Sequence, residues 1–161
     1  MEVTGQDYFR TIASERWDSF LHCTSQGYAR KFHQCSAEWR NSRLGEIVRK
    51  SGIATGLCTV FIRHTSASLV IQENADPSVV RDLQRWMSDL APETRAWEHD
   101  DEGPDDMPAH AKSAITRSSE VIPIGRGQLL LGTWQGLYVW EHRNRPHRRS
   151  LVVHVVGEPA K

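Results

Sequence analysis

The chain has 161 residues, about the length of one domain, and its 20 Lys and Arg balance its 20 Asp and Glu. Zero formal net charge excludes a protein that coats nucleic acid or an anionic membrane by bulk charge. No apolar run approaches the roughly 18–20 residues that span a bilayer. The opening MEVTGQDYFRTIASER lacks the charged-then-apolar order of a secretory signal. Cys23, Cys35 and Cys58 are an odd number with no C-x-x-C spacing. The expectation is a cytoplasmic protein without a disulfide scaffold, partnered with neither nucleic acid nor membrane.

The first fifty residues mix polar and aromatic side chains without alternation. Within them Ser36 is placed to cap a short helix carrying Trp39, Leu44, Ile47 and Val48, with Gly52 at its C-terminal end. LCTVFI (57–62) reads as a buried strand, followed by Arg63 to Ser68 and a second apolar run, Leu69 to Ile71. Asp76-Pro77 starts a helix whose inner face is Val80, Leu83, Met87 and Leu90, ending before Pro92. Residues 93–106 form an acidic loop, seven Asp and Glu against Arg95, interrupted by Gly103-Pro104. Asp106 opens a further helix with Pro108 in its first turn and Ala111, Ala114 and Ile115 inward. Strands follow at 121–124, 128–131, 137–140 and 151–156, with hairpin turns at Gly132–Gly136 and Asn144–Pro146. Two to three helices among five or six strands predict a single α+β domain with an antiparallel, β-sandwich-like core.

Eight histidines exceed what a core needs. His22 and His33 read as surface, His154 as packing on a sheet face, and His147 as part of an Arg-rich turn. His64, His99, His110 and His142 stand where strands or helices meet loops, among polar partners. Imidazoles of this kind serve either as metal ligands or in a His–carboxylate hydrogen-bond network. The acidic loop is placed to hold a divalent ion together with substrate phosphates. Arg63 and Arg143 are the cations to receive such phosphates, and the amides opening the Asp106 helix offer a second anion site. Thr133, Trp134 and Gln135 are suited to hold a small heterocycle. There is no G-x-S-x-G, Walker A or G-x-G-x-x-G motif, so covalent nucleophilic catalysis has no support beyond Ser66 and Ser68 near His64.

RHTSASLVIQENADP (63–77), DDMPAHAKSAI (105–115), PIGRGQLLLGTWQGLYVWEHR (123–143) and VVHVVGE (152–158) resemble the YjbQ-like family. The resemblance runs from 51 to 158, while residues 1–50 diverge. It implies a small α+β protein that assembles as a homotrimer with sites near subunit boundaries. It also implies a thiamine-phosphate synthase activity, joining a pyrimidine diphosphate to a thiazole phosphate with release of pyrophosphate. On that basis His64, Glu73, His110 and Gln135 are the expected catalytic residues. Arg63, Thr65, Asp106, Thr133, Trp134, Glu141 and Arg143 are expected to bind the phosphorylated substrate. A divalent metal, Zn or Mg, is expected on His64, His99 and His110. Two other readings use the same residues: a metal-dependent phosphate-ester hydrolase, and a non-catalytic trimeric module for a phosphorylated metabolite.

Overall fold

The β-branched runs after Gly52 become strands, as their composition predicts. The structure is a computed structural model describing residues 10–17, 32–34, 44–145 and 147–159, with the first two segments described by their backbone. In chain order the elements are β1 (Arg10–Trp17), β2 (Phe32–Gln34), α1 (Gly45–Ser51), β3 (Ile53–Ile62), β4 (Ala67–Glu73) and α2 (Pro77–Leu90). Then come α3 (Asp106–Ile115), β5 (Ser119–Gly125), β6 (Gln128–Leu129), β7 (Gln135–Glu141) and β8 (Arg149–Pro159). A five-stranded sheet of order β1-β8-β3-β5-β6 packs against a three-stranded sheet of order β2-β7-β4, and all pairings are antiparallel. This is an α+β fold with an antiparallel sandwich core and, among the described residues, three helices.

Period-two alternation builds the core. From the large sheet Cys58, Val60, Ile62, Ile122, Ile124, Leu151, Val153 and Val155 point inward, and Ala67, Leu69, Leu137 and Val139 meet them from the small sheet. Leu44, at the N-terminal cap of α1, and Val48 within it belong to this cluster. The intervening residues of β7, Tyr138 and Trp140, face the other way and pack with Met87, Val80 and Leu83 of α2. Thus β7 is buried on both faces and α2 forms a third layer. The Asp76 carboxylate accepts from Ser78 N–H at 2.8 Å and Pro77 fills the first turn, as expected of this helix start. Leu90 is exposed at its other end, where the chain leaves the small sheet.

Several expectations are corrected. The first fifty residues contribute strands β1 and β2, and Ser36 and Trp39 lie outside the described residues. On α3 the buried residues are Asp106, Pro108, Ala109 and Lys112, whereas Ala114 and Ile115 are exposed. Its inner stripe carries charged side chains, so an apolar pattern points to the wrong face. Neither Gly132–Gly136 nor residues 144–146 close a hairpin, because β6 and β8 belong to the large sheet and β7 to the small one. Both segments carry the chain from one sheet to the other. The true two-residue hairpin is Arg126-Gly127 between β5 and β6, where φ is 52° and 70°.

Gly56 and Gly157 face one another across β3 and β8. A Cβ on Gly56 would lie 2.1 Å from Val156 O, and one on Gly157 equally close to Thr55 O. The obstructing atoms are backbone of paired strands and cannot rotate away. Gly56→Ala is therefore expected to cost about 2–3 kcal/mol, the upper range for overpacking. Urea denaturation checks this, and a loss below about 0.5 kcal/mol, the scale of ordinary surface changes, would contradict it.

Candidate functional site

The acidic loop brings its last carboxylate inward rather than into water. Asp106, at the start of α3, is 2% exposed. Arg143, just after β7, pairs with its Oδ1 and also donates from Nε to Asp105 Oδ2 at 3.2 Å and from a terminal nitrogen to Glu102 O at 2.8 Å. Burial opposes ionisation of Asp105, but the Asn144 N–H and Arg143 outweigh it and hold the carboxyl below its ordinary pKa. Arg143 thereby braces the loop. Asp106 Oδ2 is left facing two imidazoles, with His99 Nε2 at 2.9 Å and His110 Nε2 at 3.4 Å. His110 follows Asp106 by four residues, which places both on one side of α3. The ligand atoms of His99, Asp106 and His110 all lie within 4.8 Å of one another. Behind His110, Nδ1 lies 3.1 Å from Thr65 O.

His64 does not join this group. Its Nε2 accepts from Ser150 N–H at 2.7 Å, so the neutral ring carries its proton on Nδ1. Burial and the Arg149 charge hold the His64 pKa below its ordinary value, which favours that neutral form. With Phe61, Ile62, Arg63, Thr65, Ser66 and Ser118, His64 lines an open groove of 450 Å³. Arg63 has no carboxylate partner among the described residues. Thr65 links groove and histidine pair, since it lines the groove and its carbonyl oxygen lies against His110 Nδ1. Ser118 was not anticipated, and no sequence motif marks it.

Glu141 and His142 face the interior. Glu141 pairs through both oxygens with buried Arg149, which also donates to Ser66 Oγ at 3.1 Å and Ser66 O at 3.3 Å. His142 Nε2 lies 2.9 Å from Ser68 Oγ, and both residues are buried. Glu141 and Arg143, expected to bind substrate, are thus occupied by protein partners and support the site from behind.

Glu73, Trp134 and Gln135 stand elsewhere. Glu73 and Gln135 are register partners at the far end of β4 and β7, while Ala67 and Glu141 pair at the end near His110. Six residues of strand separate the two ends, about 20 Å at roughly 3.3 Å per residue. There Ile71, Gln72, Glu73, Ala75, Trp134 and Gln135 line a second cleft of 560 Å³, and Thr133 is exposed beside it. The residues expected to share one pocket therefore form two places within the chain.

Residues 39–158 match the family described as UPF0047 protein YjbQ-like. The chain is 60% identical over 119 residues to UPF0047 protein sll1880 of Synechocystis, covering 73% of this chain and 81% of that one. It is 38% identical over 135 residues to YjbQ of Escherichia coli O157:H7, covering 84% and 95%. Among solved structures, an uncharacterized YjbQ/UPF0047 protein of Clostridium acetobutylicum shares 34% identity with a TM-score of 0.69, over 78% of this chain and 91% of that one. A YbjQ-like protein of unknown function from Sulfolobus solfataricus shares 26% with a TM-score of 0.70, over 83% and 93%. The two solved structures are described as uncharacterized and of unknown function, and none of these relatives supports a transferase or thiamine-phosphate synthesis. The synthase expectation is overturned on that finding. The geometry adds that Arg143, expected to receive a phosphate, is already held by Asp105 and Asp106. What the shared sequence and fold do establish is kinship: the chain belongs to the YjbQ-like UPF0047 family.

Proposed function

We propose that the chain holds one divalent transition-metal ion through His99, Asp106 and His110 and binds a phosphorylated small molecule in the adjoining groove. One observation carries this reading. Thr65 O can only accept, so His110 Nδ1 bears the proton directed at it. In its neutral form the ring turns a bare Nε2 lone pair toward Asp106 Oδ2, so that two acceptors face each other at 3.4 Å. A cation between them relieves that repulsion. The carbonyl behind the ring is the outer-shell partner that metal-bound imidazoles ordinarily have, and Arg143 plays the same part for Asp106. Two nitrogens and one carboxylate favour an ion of the Zn²⁺ kind over Mg²⁺, which prefers oxygen ligands. When bound, such an ion supplies a Lewis-acidic position for an anionic oxygen and lowers the pKa of a coordinated water.

The groove supports the second half of the reading. Arg63 offers a guanidinium suited to bidentate phosphate contact, and His64, Thr65, Ser66 and Ser118 add donors with no carboxylate among them. Calorimetric titration of chelator-treated protein with Zn²⁺, then with inorganic phosphate, tests both halves. Zinc binding followed by phosphate binding that Arg63→Ala weakens is expected; protein without zinc affinity rejects the reading.

A homotrimer completes the proposal. Leu57, Phe61 and Val121 are exposed apolar residues on the outer face of the large sheet. Such a face suits contact between copies. Phe61→Asp is expected to shift the mass measured by light scattering from trimer to monomer while the far-ultraviolet spectrum is unchanged. A trimer that survives the substitution would remove this face from the assembly. The proposed compartment is the cytoplasm. Cys58 is a buried free thiol whose pKa burial pushes up to about 12, and no described helix is long and apolar enough to cross a membrane.

A further inference from the structure

The second cleft, at the far end of β4 and β7, is independent of the metal reading. Its walls are Ile71, Gln72, Glu73 and Ala75 on one side and Trp134 and Gln135 on the other. Trp134 is 65% exposed, an unusual cost for the largest aromatic side chain. Glu73 is half-buried, and its carboxylate makes no hydrogen bond or ion pair with the described residues. It is the single charged side chain among the lining residues, which include no Lys, Arg or His. A partly desolvated carboxylate beside an open indole face attracts positive charge from two directions, through its own charge and through the ring quadrupole.

The two walls are also tied together in advance of any ligand. Asn74 donates from its backbone N–H to Trp134 O at 2.9 Å and from Nδ2 to Gln135 O at 3.2 Å. Tyr138 Oη donates to Glu73 O at 2.7 Å, and Gln135 Oε1 accepts from Gly132 N–H at 2.8 Å. These bonds hold the backbone of the glutamate and the tryptophan in fixed relation, so little ordering remains for a ligand to impose.

We infer that this cleft binds a small organic cation, an alkylammonium or guanidinium group, with Glu73 as counter-charge and Trp134 as the ring over which the cation sits. The probes are choline and methylguanidinium, followed through the indole N–H resonance of Trp134, which is assigned from its absence in Trp134→Phe. Saturable millimolar binding is expected, weakened at least tenfold by Glu73→Gln. Zinc affinity at His99, Asp106 and His110 is expected to be the same in all these variants, which separates this inference from the metal reading. Three results would overturn it: no saturable shift with either cation, an equal shift with NaCl at matched ionic strength, or undiminished affinity in Glu73→Gln. A neutral methyl glycoside that binds more tightly than either cation would overturn it too and reassign the cleft to carbohydrate.

Discussion

Glu141→Ala is expected to destabilise the protein by about 3–5 kcal/mol, the cost of leaving a buried charge without its partner. Glu141 is 1% exposed and Arg149 5%, and the carboxylate takes both a side and an end nitrogen of the guanidinium. Glu141 Oε1 also accepts from Arg143 N–H at 3.0 Å. The substitution thus uncouples the residue that braces Asp106 as well as Arg149. Two controls separate charge from packing. Glu141→Gln keeps acceptor and volume and is expected to lose less. Arg149→Met on the Glu141→Ala background removes the stranded charge and is expected to recover part of the loss, because a buried pair replaced by apolar groups is often near neutral. Denaturation midpoints at unchanged m-value give the measurement. A loss under about 1 kcal/mol for Glu141→Ala, the value of a surface pair, would show that the pair is solvated.

The second large effect concerns the proposed ion. His110→Ala is expected to weaken Zn²⁺ binding by more than about 100-fold, since loss of an outer-shell partner alone costs 10–100-fold. His110 is partly exposed and packs on the rim of the site, so the variant is expected to keep its fold. His64→Ala is the informative contrast: His64 contacts Ser150 rather than Asp106, and its removal is expected to leave zinc affinity within a few fold. If His64→Ala weakened zinc as severely as His110→Ala, the ligand set would be the one expected from the sequence, with His64 beside His99 and His110.

Much of the fold is legible where local chemistry decides it. Asp76-Pro77 announces α2, Gly52 ends α1 with φ of 72°, and the β-branched runs mark β3, β5, β7 and β8. Sheet membership is another matter. The segments before and after β7 look like hairpin turns, yet each crosses between sheets, because pairing is decided by partners such as Ala67–Glu141 that lie far apart in sequence. The face of α3 is misread for a related reason: its inner residues are polar, and only the tertiary partner Arg143 makes Asp106 an inward side chain.

The site shows the same division. His99 and His110 stand out as histidines at junctions, and the structure brings them together. Asp106 is legible as the residue that opens α3, but nothing local marks it, among seven acids, as the one turned toward the histidines. Its selection comes from an arginine 37 residues further along. Glu73 and Gln135 share one stretch of resemblance with the histidines, but they pair at the opposite end of β4 and β7, about 20 Å along the strands from Ala67 and Glu141.

The central claim is that His99, Asp106 and His110 form a metal centre, and zinc K-edge absorption of protein reconstituted to saturation tests it most directly. The account predicts one tightly held zinc per chain, with a first shell of two imidazole nitrogens and carboxylate oxygen, lost in His110→Ala and retained in His64→Ala. Protein that takes up no zinc, with His110 protonated at both ring nitrogens against Asp106, would contradict it.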